Sequence, residues 1–189
     1  RGLELAGSKN IPVVIMEGLL GGKLADVPES VREIFDSYPE KRSPAEWGFR
    51  WLCNFPQVAT VLSGVTDVEM TRQNLEIFDK ADVGIMSREE LDIVARAREE
   101  YKRRMKIECT GCRYCMPCPR DVDIPGIFST WNGAFKYSDD VSGNRHYIEK
   151  IKAGGHGADK CVSCRLCMRK CPQGFDIPDM LRLADREMS

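Results

Sequence analysis

Two cysteine runs decide the interpretation of this sequence: Cys109-x2-Cys112-x2-Cys115-x2-Cys118-Pro119 and Cys161-x2-Cys164-x2-Cys167-x3-Cys171-Pro172. Each run places three cysteines at intervals of three residues and ends on a fourth cysteine that precedes a proline. The next residues also correspond without a gap, since Cys-Pro-Arg-Asp-Val-Asp-Ile-Pro-Gly-Ile aligns with Cys-Pro-Gln-Gly-Phe-Asp-Ile-Pro-Asp-Met. The runs therefore form an internal repeat of two equivalent half-modules, with 42 residues between them.

The spacing within each run suits the corners of a cubane iron–sulfur cluster. Three thiolates can hold three corners from one loop, and in two-cluster ferredoxins the fourth cysteine ligates the other cluster. Gly111 and Ser163 are small enough for backbone N–H groups to face the sulfurs. The sequence thus predicts two 4Fe-4S clusters. By analogy with those ferredoxins, cluster one is assigned to Cys109, Cys112, Cys115 and Cys171, and cluster two to Cys161, Cys164, Cys167 and Cys118.

Zinc and disulfides are the alternatives for the same eight cysteines. Zinc sites use Cys-x2-Cys pairs, but the two pairs are normally separated by a longer segment. Disulfides need an oxidising compartment, whereas closely repeated cysteines are typical of metal binding in a reducing one. We therefore favour clusters and a cytoplasmic location. The first run differs from the common bacterial pattern, because only Met116 and Pro117 precede its last cysteine.

The first half of the chain has the pattern of a parallel sheet covered by helices. Apolar runs predict buried strands, and capping residues with helical spacing of apolar positions predict helices; the expected ranges are strands at 11–16 and 58–62 and helices at 29–36, 43–54 and 67–80. A parallel sheet must be covered on both faces. Two strands cannot provide that, so we expect neighbouring strands upstream or on another chain.

A charged helix is predicted over residues 87–106, with a capping box formed by Ser87 and Glu90. It ends in a basic group, residues 102–106, which is either a solvated face or a charge that offsets a nearby cluster. Further helices are predicted around residues 127–135 and 145–151.

Composition and the remaining reactive residues limit the functions available. The net charge is −1, from 28 basic and 29 acidic side chains, and no basic tract predicts a nucleic-acid partner. No apolar run is long enough for a membrane span, and no secretory signal is visible. Cys53 is interpreted as a buried free thiol. His146 and His156 are not expected to ligate metal, because cysteines supply all the cluster corners.

Nearly the whole chain resembles one branch of the aldo/keto reductase family. Residues 11–24, 43–52 and 62–75 resemble the last two β-α units of its barrel, and residues 107–189 resemble its dicluster ferredoxin tail. The expected fold is α/β: the C-terminal part of a TIM-type α/β barrel over residues 1–85, a connecting helix over 86–106, and a mainly α-helical dicluster ferredoxin-like domain over 107–189. The chain begins at Arg1, and we expect it to be the C-terminal part of a longer protein.

The resemblance also implies where function resides. The family's catalytic tetrad lies on the first four strands, so no catalytic residue is assigned here. Residues 63–66 and Asn74 match the family's nucleotide-binding segment. Glu69 stands where many relatives have a basic residue for the 2′-phosphate, which disfavours NADPH. A nicotinamide or a flavin is an expected cofactor of the full-length protein only.

The leading functional hypothesis is an iron–sulfur oxidoreductase of the aldo/keto reductase type that relays electrons through the two clusters. The alternative is a non-catalytic electron-transfer subunit whose barrel remnant is a docking scaffold. A third hypothesis gives the clusters a structural or sensing role. The expected partners are a redox protein or the upstream barrel half.

Overall fold

A computed structural model describes residues 1–137, 139 and 142–189, the last range without the side chains of residues 142 and 143. The chain forms two compact units, Arg1–Tyr101 and Lys102–Ser189. Both are mainly helical, and the described residues contain one sheet of two strands. No described helix has the length and apolarity that a membrane span requires.

The first unit alternates strands and helices. Its helices are α1 (Gly2–Ser8), α2 (Glu29–Asp36), α3 (Pro44–Cys53), α4 (Val68–Asp79) and α5 (Arg88–Arg103), whose last two residues enter the second unit, and its strands are β1 (Val13–Ile15) and β2 (Val58–Val61). The strands pair in parallel, with Val13 opposite Val58 and Ile15 opposite Val61. The predicted order of strand, helix, parallel strand and helix is therefore confirmed; α1 was not predicted.

Side-chain caps fix the starts of α3, α4 and α5. Ser43 accepts a hydrogen bond from the Glu46 N–H at 3.1 Å, and Asp67 accepts one from the Met70 N–H at 2.8 Å. The predicted capping box of α5 is confirmed, since the Glu90 N–H donates to the Ser87 hydroxyl at 3.2 Å and the Ser87 N–H donates to the Glu90 carboxylate at 2.5 Å. These bonds satisfy donors that have no partner within the helix.

The end of α5 and the burial of the strands differ from the prediction. The helix ends at Arg103, because the N–H groups of residues 106 and 107 donate instead to the Asn132 side chain, at 2.9 and 3.1 Å. The expectation that both faces of β1 are buried is wrong for the described chain. Val14 is 53% exposed, and Met16, just after the strand, is 73% exposed. A sheet of two strands leaves its outer surfaces uncovered.

A buried ion cluster lies in the core of the first unit. The Glu90 carboxylate accepts a hydrogen bond from Arg42 and lies 3.5 Å from an Arg50 guanidinium nitrogen. The Arg42 guanidinium also lies over the rings of Tyr38 and Trp47, at 5.2 and 5.0 Å from their centroids. Glu90 therefore connects the start of α5 to α3 and to the aromatic core around Trp47.

The regular elements described in the second unit are all helices or helical turns. It contains α6 (Ile124–Lys136), α7 (Ser142–His146), a π-helical turn (Tyr147–Lys152), 3₁₀ turns at Ala158–Lys160 and Met168–Lys170, and α8 (Ile177–Met188). The helix predicted around 127–135 is confirmed and begins three residues earlier. The helix predicted around 145–151 is found as α7 and the π-helical turn. The main core residues include Val122, Ile124, Ile127, Phe128, Trp131, Ile177 and Leu181.

The sequence repeat is also a structural repeat. Asp123 caps α6 by accepting from the Gly126 N–H, and Asp176 caps α8 by accepting from the Asp179 N–H. Each helix carries a proline in its first turn, a position that favours helix initiation. Helix α8 was not predicted, although the aligned Asp-Ile-Pro of the two repeats carried the signal for it.

Tyr147 connects the π-helical turn to α8 and to the segment before the second cysteine run. Its fully buried hydroxyl donates to Asp185 at 2.5 Å and accepts from the Ala158 N–H at 3.2 Å. Lys152 donates to the same carboxylate at 2.9 Å. This set of bonds fixes the 3₁₀ turn that precedes Cys161.

Candidate metal centre

The eight clustered cysteines surround two cavities in the second unit. The larger cavity, of about 300 Å³, is bordered by Cys115, Cys118, Cys161, Cys164 and Cys167. The smaller, of about 20 Å³, is bordered by Cys109, Cys112, Cys115 and Cys171. The fourth cysteine of each run thus lies beside the cavity of the other run. The structure brings all eight predicted site residues to these cavities.

The two cysteine loops have the same backbone conformation at equivalent positions. Left-handed residues occur between the first and second cysteines (Gly111, φ 68°; Ser163, φ 52°) and between the second and third (Arg113, φ 64°; Arg165, φ 61°). A further left-handed residue lies three positions after the last cysteine of each run, Asp121 in the first and Gly174 in the second. Left-handed residues within such loops turn successive N–H groups into a concavity that favours anions. The loops are therefore suited to thiolates and to an anionic cluster.

Apolar walls from the starts of α6 and α8 close both cavities on the protein side. Ile124 borders both cavities, Phe128 and Ile177 border the smaller one, and Pro178 and Leu181 border the larger one. These side chains are buried in the unit's core. A wall of this kind limits solvent access and lowers the local dielectric, which are properties that tune a metal centre.

Exposure differs among the thiols. Cys112 and Cys164 are exposed, and the other six are half-buried. Burial raises the pKa of the Cys115 thiol to about 11, with a further contribution from Cys109 and Cys167 close by. Burial likewise raises the pKa of Cys167. These thiols are neutral without metal, so binding a metal requires the loss of their protons.

The charged side chains at the cavities are basic. Arg120, Arg165 and Lys170 border the larger cavity, and Arg113 borders the smaller. No acidic residue is among the described residues that border either cavity. Basic groups near a cluster offset its negative charge, one of the factors that set its reduction potential.

The basic group at the end of α5 does not border the cavities. Arg104 pairs with Asp139 at 2.6 Å, and Lys106 pairs with Glu187 at 3.0 Å. The Lys106 ammonium also lies 4.3 Å from the centre of the Phe135 ring. These contacts support a structural role for Arg104 and Lys106 within the second unit.

The residues that were not expected to be ligands lie away from the cavities. Cys53, at the end of α3, is half-buried, and burial raises the pKa of its thiol. His156 Nδ1 is 2.9 Å from the Asp121 carbonyl oxygen, and His146 is exposed. Neither histidine borders a cavity.

The thiols that line the cavities suit iron–sulfur clusters, but the smaller cavity is too small to hold one without a change in its walls. Each cavity has four or more thiols, the ligands that 4Fe-4S clusters use. Within the described part of the chain, no three His, Cys, Asp or Glu side chains are close enough together to hold a single metal ion. The smaller cavity would hold little more than one water molecule, so a cluster there requires its lining side chains to move outward.

Two cysteine-lined cavities on a repeated loop-and-helix unit define a domain with two iron–sulfur half-modules. In agreement with that description, residues 108–177 match the family model for the 4Fe-4S dicluster domain. The match covers less than half of the chain and lies entirely within the second unit. Neither the curated proteins nor the solved structures gave a match to this chain.

The segment that resembles a nucleotide-binding loop lies in the first unit. Asn74 donates to the Ser63 hydroxyl at 3.0 Å, which joins the start of this loop to α4. Arg72 is paired with Glu69 at 2.5 Å and also with Glu76. Ser63, Glu69, Arg72 and Glu76 are exposed, and Asn74 is half-buried.

Proposed function

We propose that this chain transfers single electrons through two 4Fe-4S clusters, each completed by a cysteine from the other half of the repeat. The proposed ligands are Cys109, Cys112, Cys115 and Cys171 for one cluster and Cys161, Cys164, Cys167 and Cys118 for the other. The observation that carries the proposal is the crossed placement of Cys118 and Cys171 beside the opposite cavities. It is supported by the dicluster match over residues 108–177.

Each bound cluster would accept and release one electron at a time. The chain's own contribution is to hold the thiolates, exclude water and balance charge. Left-handed residues at Gly111 and Ser163 direct backbone N–H groups into the loops, and Ile124 keeps an apolar wall against both cavities. Arg113 and Arg165 provide positive charge beside them.

Metal analysis tests the presence of the clusters. Protein purified without oxygen should contain about eight irons and eight sulfides per chain, with two interacting signals in its EPR spectrum after reduction. Cys53→Ala is the matched control, because this thiol lies in the other unit and should be replaceable without loss of iron. Zinc without sulfide would overturn the proposal.

Double variants test the crossed ligation. If Cys112 and Cys171 serve one cluster, Cys112→Ala/Cys171→Ala should lose that cluster alone and retain about four irons. Cys112→Ala/Cys118→Ala should damage both clusters. If each cluster is instead ligated by one run alone, Cys112→Ala/Cys118→Ala should retain about four irons and Cys112→Ala/Cys171→Ala should damage both clusters. The iron contents of the two variants therefore decide between the two arrangements.

We further propose that the first unit is the C-terminal part of an aldo/keto reductase-type barrel, which makes the full-length protein an oxidoreductase. The parallel pairing of β1 and β2 around α3 supports this proposal. So does the uncovered apolar surface of the sheet, where a hollow of about 390 Å³ is lined by residues that include Val13, Ile15 and Trp51. Additional strands and helices would cover such a surface.

Cofactor binding by the full-length protein tests the barrel proposal. A hydride carries two electrons and each cluster carries one, so a carrier that converts between them, such as a flavin, is required. Arg72 is already paired with Glu69 and Glu76, so we expect the protein to bind NADH in preference to NADPH. If the full-length protein binds neither a flavin nor a nicotinamide, the electron-transfer subunit becomes the better interpretation.

A further inference from the structure

The charged residues that border the cluster cavities in the described part of the chain are all basic. Within the two cysteine runs, from first to last cysteine, the sequence contains four basic residues in total and no acidic one. These residues are Arg113 in the first run and Arg165, Arg169 and Lys170 in the second, and all four are exposed. In a chain whose net charge is −1, this is a local concentration of one sign.

The four basic side chains are available to a partner. None of these four side chains forms an ion pair or a hydrogen bond with another described residue, since the ion pairs described in the second unit involve other residues. Arg104 and Lys106, by comparison, are committed to Asp139 and Glu187. The charge near the cavities is therefore not used to stabilise the described fold.

Arg113 and Arg165 occupy equivalent positions in the repeat, directly after the two exposed cysteines. Both have left-handed backbone, with φ 64° and 61°, a conformation that is sterically unfavourable for a residue with a side chain. Glycine would adopt it without that cost. An arginine at both positions, despite the strain, suggests that its charge has a function there.

Large apolar side chains accompany these arginines on the surface. Tyr114 and Leu166, the next residues in the two runs, are 65% and 47% exposed, and Val162 is 59% exposed. Apolar groups within a rim of charge are typical of surfaces that bind another protein. The combination differs from that of a merely solvated basic surface.

We infer that this basic and apolar surface, centred on Arg113-Tyr114 and Arg165-Leu166, is the docking site for an acidic one-electron carrier protein. The inference rests on the proposed electron-transfer function and names the chemistry of the partner. The carrier's carboxylates would meet the arginines, and one electron would pass between a cluster and the carrier's redox centre. One centre is oxidised as the other is reduced, and no proton or bond is exchanged.

Two small cobalt complexes of opposite charge test the inference on the cluster-loaded protein. The reduced protein is mixed with a small amount of anionic cobalt(III)–EDTA or of cationic hexaamminecobalt(III), and the oxidation rate is followed by stopped flow. Each complex takes one electron as Co(III) becomes Co(II). At low ionic strength the anionic complex should react faster as salt is lowered, and the cationic complex more slowly.

The Arg113→Glu/Arg165→Glu variant should move the two rates in opposite directions. One unit charge at about 10 Å in water changes the encounter rate of a singly charged complex by about twofold, so four charge units predict a change of about sixteenfold for cobalt(III)–EDTA. The change is larger for hexaamminecobalt(III), which carries three charges. The rate with cobalt(III)–EDTA should fall and the rate with hexaamminecobalt(III) should rise. A change of cluster potential would instead move both rates in the same direction, and that result would overturn the inference.

The Arg145→Glu/Arg186→Glu variant is the matched control, with the same change in net charge. Neither residue borders a cavity, and Arg186 lies about 14 Å along α8 from the start of that helix. Equal effects in the two double variants would mean that only total charge matters and would refute the docking site. Failure of the proposed function is distinguishable, because a protein without iron and sulfide could not be reduced at all.

Discussion

Replacing Glu90 by glutamine tests the buried ion cluster of the first unit. The Glu90 side chain is 5% exposed, and its carboxylate interacts with the guanidinium groups of Arg42 and Arg50 and with the Ser87 N–H. Glutamine keeps the shape but removes the negative charge and replaces one acceptor with a donor. Two buried cations then lose their shared anion.

The structure sets the expected size of the effect. Removing one partner of a buried ion pair costs about 3–5 kcal/mol, because the remaining charge is left uncompensated. Here the remaining charge is partly compensated, since Arg42 also pairs with Glu40, which is largely exposed, and lies 3.7 Å from Glu46. We therefore expect Glu90→Gln to lower the free energy of unfolding of the first unit by about 2–3 kcal/mol.

Urea unfolding followed by the fluorescence of Trp47 is the appropriate assay, because this buried indole stacks under the Arg42 guanidinium. Glu89→Gln is the control: it makes the same substitution in the same helical turn at an exposed position, so it loses the same interaction with the helix dipole. If the free energies of unfolding of the two variants agree within about 0.5 kcal/mol, the reasoning on the ion cluster is refuted.

The same comparison has a predicted pH dependence. Burial acts to raise the pKa of Glu90, but hydrogen bonds from the Ser87 N–H and Arg42 outweigh it, and the pKa lies below its usual value. A carboxylate with a lowered pKa stabilises the fold above its unfolded pKa of about 4.3, and that stabilisation is lost as the pH falls through the folded pKa. The difference in free energy of unfolding between Glu90→Gln and Glu89→Gln should therefore have its full size at pH 7 and decrease below about pH 4.

Three shorter predictions concern the cluster domain. Tyr147→Phe leaves the buried Ala158 N–H without its acceptor, at a cost of about 2 kcal/mol, so cluster absorbance should decay faster in urea; an unchanged rate would contradict this role. Gly174→Ala places a side chain on left-handed backbone, at φ 69°, in otherwise open space, and should destabilise the domain by about 1 kcal/mol. Its cluster absorbance should therefore decay faster in urea, and an unchanged rate of decay would contradict this prediction. In protein stripped of metal, iodoacetamide should modify exposed Cys164 before half-buried Cys167, and mass spectrometry of the peptides would detect the opposite order.

Local signals in the sequence predicted most of the helices because the residues that cap a helix are close to it in the chain. The capping box of Ser87 and Glu90 and the cap at Ser43 are examples. The eight clustered cysteines were likewise visible as candidate ligands from their spacing, and all of them border the two cavities. Whether they ligate clusters stays a prediction.

Other features depend on contacts between distant residues, which the sequence does not display. Helix α5 ends early because Asn132, on another helix, takes the N–H groups of residues 106 and 107. The apolar run of β1 predicted burial on both faces, but burial depends on which elements lie against the strand, and Val14 remains exposed. The positive surface around Arg113 and Arg165 became apparent only when their backbone conformation, their exposure and the basic lining of the two cavities were seen together.

The exchange of cysteines between the two repeats has a consequence for the order of biosynthesis. The cavity beside the first run is incomplete until the ribosome has added Cys171. The cavity that Cys118 borders is absent until the second run has been synthesised. Neither half-module can therefore be completed while the nascent chain ends between them. If the clusters are ligated in the proposed crossed arrangement, their insertion must follow translation of the whole repeat, and a pause between the two runs would leave unprotected thiols open to oxidation.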